Sequence, residues 1–170
     1  MVTKNKSNKK EKIQLTYTTI NYSEQGFLTM IEKRVRRDIR INKKVKGNII
    51  EILNDKSKEF FMTKLLLENI FGKRLKIMEV KKSSKKTIVP TNLDREIKKK
   101  LEKYLKNKKT KKENIKILNN VLEEEIIIFC KLHRIKIVNK EEKNGFIESI
   151  EKTQPGTKFA MAKSFEKIFP

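Results

Sequence analysis

The hydrophobic pattern is clearest between Gly47 and Gly72, where a short apolar run, a polar turn and an amphipathic segment follow one another. The run Ile49–Leu53 is too short for a helix and rich in β-branched residues, which favours a strand. Residues 54–58 form the polar turn, the next apolar positions recur at roughly helical spacing, and Gly72 suits a left-handed C-cap. A second apolar run begins at residue 75. The pattern therefore predicts a β–loop–α–β unit whose loop lies at a helix N-terminus, where free N–H groups favour anions.

The rest of the chain alternates predicted helices with short predicted strands. Ser23 is a candidate N-cap for a basic helix that repeats apolar residues every four positions from Phe27 to Ile39. Further helices are expected to begin near residues 92, 123, 146 and 157, and short strands to cover 87–89 and 135–138. This order indicates an α/β fold, a small parallel sheet flanked by helices with a basic helix near the N-terminus. We expect one domain over residues 23–170, preceded by a basic tail or extended arm over residues 1–22.

Charge is the strongest compositional signal. Of the 170 residues, 43 are Lys or Arg and 21 are Asp or Glu, which gives a formal net charge of +22. Such an excess favours a polyanionic partner, above all nucleic acid. A membrane surface fits less well, because the charge is spread along the chain instead of lying on one amphipathic segment. No apolar run approaches the roughly 20 residues that span a bilayer, so we expect a soluble, cytoplasmic protein with no membrane partner.

Two predicted helices concentrate the cationic side chains. The helix after Ser23 carries four arginines within seven residues, and arginine pairs bidentately with phosphate. The helix after residue 92 and the loop beyond it carry a run of lysines, which attract polyanions without reading sequence. A solvated helix face explains both patterns equally well. The candidate RNA contacts are Arg34, Arg36, Arg37, Arg40, Lys98, Lys99 and Lys103.

The residues that build most metal and nucleophilic sites are scarce. Cys130 is the only cysteine and His133 the only histidine. A single cysteine makes no intrachain disulfide, no cysteine-rich zinc site and no iron–sulfur cluster. Cys130 lies in an apolar run, where a buried and inert thiol is the simplest interpretation. We therefore predict no metal site and no catalytic residue built on these side chains.

With its elements in this order, the chain resembles the PP-loop ATP pyrophosphatase superfamily, in particular the tRNA 2-thiolation enzymes and the lysidine-synthase-like proteins. The resemblance runs from Phe27 to the C-terminus. The basic helix resembles the one that precedes the nucleotide loop in the thiolation branch, and the strand–loop–helix at 49–71 falls where that family has Ser-Gly-Gly-Xaa-Asp-Ser. Three further segments are similar to family motifs: VPTNLDREI, LEEEIIIFCKLHRIKI and FIESIEKTQPGTKFAMAKSFEKI.

The motifs depart from the family pattern where nucleotide chemistry is expected. The loop here reads Asp55, Lys56, Ser57, Lys58, Glu59 and Phe60, with side chains in place of both glycines and Phe60 in place of the last serine. Glycine permits the close backbone approach that a pyrophosphate needs, and a Cβ obstructs it. In the second motif Asp94 matches, but Arg95 replaces the other aspartate. The thiolation branch is also expected to use several cysteines for sulfur transfer or a cluster. The resemblance thus implies a degenerate, shortened relative whose former nucleotide site is Asp55, Lys56, Ser57, Lys58 and Asp94.

These observations lead to three functional hypotheses. The first is a non-catalytic accessory protein that binds tRNA or rRNA and derives from tRNA-modifying PP-loop enzymes. The second is a structural or interaction subunit of a larger complex, whose partner is an active PP-loop paralogue or another protein. The third is a residual ATP-dependent, thiolation-type tRNA-modifying enzyme with a rebuilt loop. The first two need no cofactor, and only the third uses ATP-Mg.

Overall fold

The computed structural model describes residues 12–107, 114–137 and 145–168. Two short strands open the described chain, six helices and one parallel strand pair follow, and a 3-10 turn at Gly72–Arg74 separates the second helix from the last strand. The elements are β1 (Ile13–Gln14), β2 (Asn21–Tyr22), α1 (Glu24–Ile41), β3 (Ile49–Leu53), α2 (Lys58–Phe71), β4 (Lys76–Val80), α3 (Leu93–Leu105), α4 (Glu123–Leu132), α5 (Gly145–Thr153) and α6 (Thr157–Ile168).

The parallel sheet is centred on β3. Strand β4 pairs with β3 in parallel register, with Ile50 opposite Ile77. On its other side β3 forms a parallel bridge from Ile52 to Ile88, and Ile88 bridges in turn to Ile115. The β–loop–α–β unit and the small parallel sheet flanked by helices are therefore confirmed. The strand expected at 87–89 is reduced to the bridge at Ile88.

The helix starts follow from local sequence. Ser23 Oγ accepts the N–H of Gly26 at 3.1 Å and Asn92 Oδ1 accepts that of Arg95 at 2.8 Å, so both predicted N-caps are confirmed. Gly72 ends α2 with a φ of 56°, a conformation that glycine adopts without a Cβ penalty. These caps set the ends of the helices that surround the site described below.

Most of the core lies between one face of the sheet and helices α1, α2 and α4. The predicted stripe of α1 is buried from Phe27 to Ile39, and Cys130 is buried among the same apolar side chains. A second, smaller core joins α3, α5 and α6 through Leu93, Ile147 and Phe165. None of the helices in the described part of the chain has the length and apolar character needed to cross a bilayer.

Two predicted segments have a different conformation in the structure. The strand expected at 135–138 is wrong for its described residues, 135–137, which follow the C-terminal turn of α4: the N–H of Ile135 donates to the carbonyl of Cys130 at 2.8 Å. Residues 13–22, expected to belong to the basic tail or extended arm, form an antiparallel hairpin with Leu15 buried in the main core. Residues 1–11 and 138 lie outside the described residues.

Candidate functional site

Three helices begin close together beyond the carboxyl end of the parallel sheet. Asn92, the N-cap of α3, donates from its amide to Glu59 of α2 at 2.9 Å and to Glu123 of α4 at 2.7 Å. Lys58 lies between the same two carboxylates, 2.9 Å from Glu123 and 3.4 Å from Glu59. We refer to Lys58, Glu59, Asn92 and Glu123 as the helix-start cluster. It ties α2, α3 and α4 together at the end of the sheet, where a parallel α/β protein most often binds ligands.

Burial decides the electrostatics of the helix-start cluster. The side chain of Lys58 is 3% exposed and that of Glu59 is fully buried. Burial raises the pKa of Glu123 above its usual range, although the hydrogen bond from Lys58 opposes the shift. The Lys58 ammonium offsets the negative charge of both carboxylates. This lysine of the loop is therefore engaged in internal ion pairs.

Three amide donors of the loop that the sequence assigns to phosphate are bonded to side chains of the same loop. The N–H of Lys56 donates to Asn54 Oδ1 at 3.1 Å, that of Ser57 to Asp55 Oδ1 at 3.0 Å, and that of Phe60 to Ser57 Oγ at 3.1 Å. The side-chain oxygens of Asn54, Asp55 and Ser57 therefore accept amide N–H groups that a phosphate would otherwise accept. With these three amides occupied, the loop does not fit a polyphosphate.

Lys56 keeps one feature of a glycine-type loop. Its φ is 57°, in the left-handed region that glycine favours and that costs a residue with a Cβ about 1–2 kcal/mol. The backbone of the loop is thus left-handed at Lys56. The loop is closed by hydrogen bonds between its own side chains and its amide N–H groups.

Asp94 belongs to a second set of contacts. Its Oδ2 accepts the first N–H of α4, from Glu123, at 2.7 Å, and its Oδ1 accepts a hydrogen bond from Lys158 Nζ at 2.5 Å. Lys158 also donates to Glu148 at 2.5 Å. Burial alone would lower the pKa of Lys158, but the hydrogen bonds to Asp94 and Glu148 outweigh it and raise the pKa above its ordinary value.

A cavity of about 360 Å³ opens beside these contacts, between α3, α4, α5 and the start of α6. Its floor is apolar and its walls carry five carboxylates against three cations. Of the predicted site residues, the cavity contains Asp94 and Lys98; Asp55, Lys56, Ser57 and Lys58 do not line it. The charged and polar lining is Thr16, Asp94, Arg95, Lys98, Glu123, Glu124, Glu148, Glu151 and Lys158, and the apolar lining is Ile97, Leu122, Ile127 and Ile147.

The predicted RNA contacts fall into two groups. Arg34 points inward: its guanidinium donates to Glu125 at 2.8 Å, to Tyr17 Oη at 2.8 Å and to the carbonyl of Asn120 at 3.3 Å. The remaining arginines of α1 and two of the lysines of α3 are exposed: Arg36, Arg37, Arg40, Lys98 and Lys99. Lys103 is half-buried. The structure therefore brings five of the seven predicted contacts to solvent and gives Arg34 an internal role.

The residues that the sequence analysis missed are acids. Glu125 is fully buried, accepts from Tyr17 and Arg34, and accepts the N–H of Leu122 at 2.9 Å. Glu151 accepts from the amides of Gly156 and Lys158, both at 2.8 Å. One signal was available for Glu125: three consecutive glutamates, from Glu123, stand in an otherwise basic chain.

Taken together, the sheet order, the helix starts and the flanking helices define a PP-loop-like α/β fold. The chain is similar to the solved structure of the U34-tRNA thiolase NcsA from Methanococcus maripaludis, which was determined with its [4Fe-4S] cluster. The TM-score is 0.72 and the alignment covers 96% of this chain and 86% of the thiolase, at 13% sequence identity. No family model matches the sequence, and no curated protein is similar to it in sequence. At this identity the similarity shows the fold alone.

Proposed function

We propose that this protein binds tRNA or rRNA through its cationic surface, and that it is a cytoplasmic, non-catalytic relative of tRNA-modifying PP-loop enzymes. The observation that carries the proposal is the separation of its charges. Three glutamates at helix starts are buried or half-buried, Glu59, Glu123 and Glu125, whereas Arg36, Arg37 and Arg40 extend from α1 into solvent on a chain of net charge +22. An exposed cationic surface of this size binds nucleic acid by counterion release.

The closed loop supports the non-catalytic part of the proposal. Its amide donors are bonded to Asn54, Asp55 and Ser57, and Lys58 is buried between Glu59 and Glu123. A nucleotide would have to displace all of these contacts at once. The backbone of the loop thus resembles that of PP-loop enzymes, whereas its side chains are those expected where a nucleotide site has been lost.

An iron–sulfur cluster such as the one in the thiolase structure does not fit this chain. Clusters of that type are held by three or four cysteine thiolates, and the sequence contains only Cys130. Burial raises the pKa of the Cys130 thiol to about 11. A thiol that stays protonated in the core is a poor ligand and a poor sulfur carrier.

The proposal is tested by RNA binding at graded salt. We expect a tRNA or an rRNA fragment to bind the full chain at low salt, and the logarithm of the affinity to fall linearly with the logarithm of the salt concentration. The variant Arg36→Gln/Arg37→Gln/Arg40→Gln should reduce the slope by about 2, since each phosphate contact contributes roughly 0.7–0.9. A variant with three exposed cations removed elsewhere, Lys73→Gln/Arg74→Gln/Lys76→Gln, is the matched control. Absence of binding at low salt would refute the proposal, and an equal loss in both variants would refute the assignment to α1.

The cavity beside Asp94 supports a second candidate, a residual ATP-dependent tRNA-modifying enzyme. Its volume of about 360 Å³ lies within the range of small-molecule sites, and three helices start beside it. A ligand that binds the folded state raises the melting temperature by mass action. A shift with millimolar ATP-Mg that is lost in Asp94→Asn would favour this candidate, and no shift would exclude it.

A further inference from the structure

The two faces of the β3–β4 sheet are covered differently. Alternation along β3 turns Ile50 and Ile52 to one face and Ile49 and Leu53 to the other. Ile50 and Ile52 are buried in the main core, against side chains of α2. On the other face, Ile49 is 58% exposed. In register with β3, strand β4 turns Ile77 to the core face and Lys76, Met78 and Val80 to the other.

The second face carries four apolar side chains around Glu51, and none of the four packs in the main core. Met78 lies opposite Glu51 on this face and is 42% exposed, and Val80 lies opposite Leu53. Among the described residues, Ile49, Leu53, Met78 and Val80 belong to neither apolar cluster. We call these four residues the open sheet face. Parallel sheets are almost always covered by helices on both faces. We therefore expect another element to pack on the open sheet face.

Lysines border the open sheet face. Lys76 is on the same face as Met78 by alternation. The loop after β4 is held there as well, because Ser84 Oγ and Thr87 Oγ1 donate to Glu51 at 3.3 and 3.0 Å. The lysines of this loop are all exposed: Lys81, Lys82, Lys85 and Lys86. The open sheet face thus surrounds Glu51, which Ser84 and Thr87 already bind, with four apolar side chains and a border of exposed lysines. Apolar side chains within a polar rim are the layout of a protein interface.

We propose that the open sheet face binds an acidic, amphipathic α-helix of a protein partner. A helix is the element that covers a parallel sheet, its apolar stripe matches Ile49 and Met78, and its acids match the lysine border. The apolar side chains of this face are aliphatic or Met78, whereas proteins that bind RNA on a sheet stack the bases on aromatic rings.

Other occupants are disfavoured by charge and composition. A second copy of the chain would bring another +22 charges against the same lysines. The segments of the chain outside the described residues are polar in sequence and offer no apolar stripe. The inference is independent of RNA binding by α1, so either can fail without the other.

The test places a photoreactive p-benzoylphenylalanine at position 78 of the full-length chain, expressed in the cells from which the protein comes. Position 20 is the matched control, since Ile20 is 57% exposed and lies away from the sheet. We expect crosslinks at 78 to exceed those at 20 at least tenfold and to map by mass spectrometry to a segment with an apolar stripe flanked by acids. Changing Lys81, Lys82, Lys85 and Lys86 to Glu in the same chain should abolish them.

Three outcomes would overturn the inference. Crosslinks at 78 to RNA, removed by nuclease, would assign the face to nucleic acid. Crosslinks to a second copy would make it a self-association surface. A yield at 78 no higher than at 20 would show that nothing covers it. As a separate check, Ile49→Ser/Met78→Ser should lose the crosslinked partner in a pull-down while it keeps the wild-type affinity for RNA.

Discussion

Arg34 shows how neighbouring residues of one type take different roles. In the sequence it is one of four arginines on one helix, but its side chain is only 24% exposed and pairs with Glu125, which is fully buried. Tyr17 completes the contact, because its hydroxyl donates to Glu125 at 2.6 Å and accepts from Arg34 at 2.8 Å. Burial and the neighbouring Glu125 raise the pKa of Tyr17, so the phenol stays protonated and continues to donate.

Replacing Arg34 should therefore lower the stability of the folded protein more than it lowers the affinity for RNA. Arg34→Met leaves the Glu125 carboxylate buried without its cation, and breaking a buried pair in this way costs about 3–5 kcal/mol. Urea unfolding measures the loss. Arg36→Met is the control, since Arg36 is 56% exposed and pairs only across the helix surface with Glu32. Similar stabilities for the two variants would contradict the internal role of Arg34.

The buried thiol of Cys130 makes stability depend on pH in the alkaline range. Its pKa is raised to about 11 in the folded chain, by burial first and then by the charge of Glu59. The unfolded thiol ionises near pH 8.5, so between pH 8.5 and 11 the unfolded state binds fewer protons than the folded one. Stability from this group is fully present below pH 8.5 and is lost as the pH rises toward 11.

Cys130→Ala should remove this part of the pH dependence. We expect the wild type to lose about 2–3 kcal/mol more than the variant between pH 8.5 and 11, at 1.36 kcal/mol per pKa unit. Urea unfolding across that range at constant ionic strength gives the difference. Parallel stability profiles for the two proteins would contradict a raised pKa, whatever the cost of the smaller side chain at pH 7.

Lys56 tests the shape of the closed loop. With a φ of 57° it occupies a conformation that favours glycine, so Lys56→Gly should raise stability by about 0.5–1 kcal/mol, the relief of strain less the greater entropy of the unfolded chain. Thermal unfolding measures the change. Lys82→Gly is the matched control, because Lys82 is exposed and is not among the residues of positive φ. Equal responses would show that the loop is not left-handed at Lys56.

At the scale of elements, acids from one helix cap the start of another. Asp94 of α3 accepts the first N–H of α4, and Glu151 of α5 accepts two amide N–H groups at the start of α6. Such contacts satisfy orphan N–H groups and complement the helix dipole. They explain why acids gather at the helix starts of a basic protein, and why the cavity beside them is lined by more carboxylates than cations.

Glu151 provides the test of this arrangement. Glu151→Gln keeps one acceptor oxygen but loses the charge, and hydrogen bonds to a charged group contribute about 1.5–3 kcal/mol. We expect a loss of about 2 kcal/mol and faster hydrogen exchange over residues 154–160. Glu102→Gln, at an exposed position of α3, should change neither. Unchanged exchange at the start of α6 in Glu151→Gln would contradict the capping role.

At the scale of the whole molecule, the net charge of +22 opposes folding through self-repulsion. Salt shortens the range of that repulsion, from about 30 Å at 0.01 M to about 10 Å at 0.1 M. The melting temperature should therefore rise with sodium chloride by at least about 3 °C over this range, which corresponds to roughly 1 kcal/mol for a chain of this size. An uncharged osmolyte at the same osmolality is the control. A melting temperature that falls with salt would mean that the internal ion pairs outweigh the repulsion.

Local sequence patterns were enough to predict where α1 and α3 begin and where α2 ends. The apolar stripe from Phe27 to Ile39, the caps at Ser23 and Asn92 and the glycine at 72 act over a few residues, and neighbouring residues decide such features. The β–loop–α–β unit was equally local, because β3 and β4 are adjacent along the chain. The expected α/β order of elements is confirmed, and the similarity to the thiolase structure extends to the fold alone.

The internal partners of the charged side chains could not be predicted from local patterns. Arg34 meets Glu125 across 91 residues, Lys58 meets Glu123 across 65, and the Ile88 bridge needs both β3 and residue 115. The expected strand at 135–138 failed for the same reason: its β-branched residues suit a sheet, but the turn after α4 holds Ile135 against Cys130 instead. Helix propensity and capping depend on residues close together in sequence, so a local pattern predicts them. Contacts between residues distant in sequence depend on packing, burial and charge in the folded chain, which a local pattern does not contain.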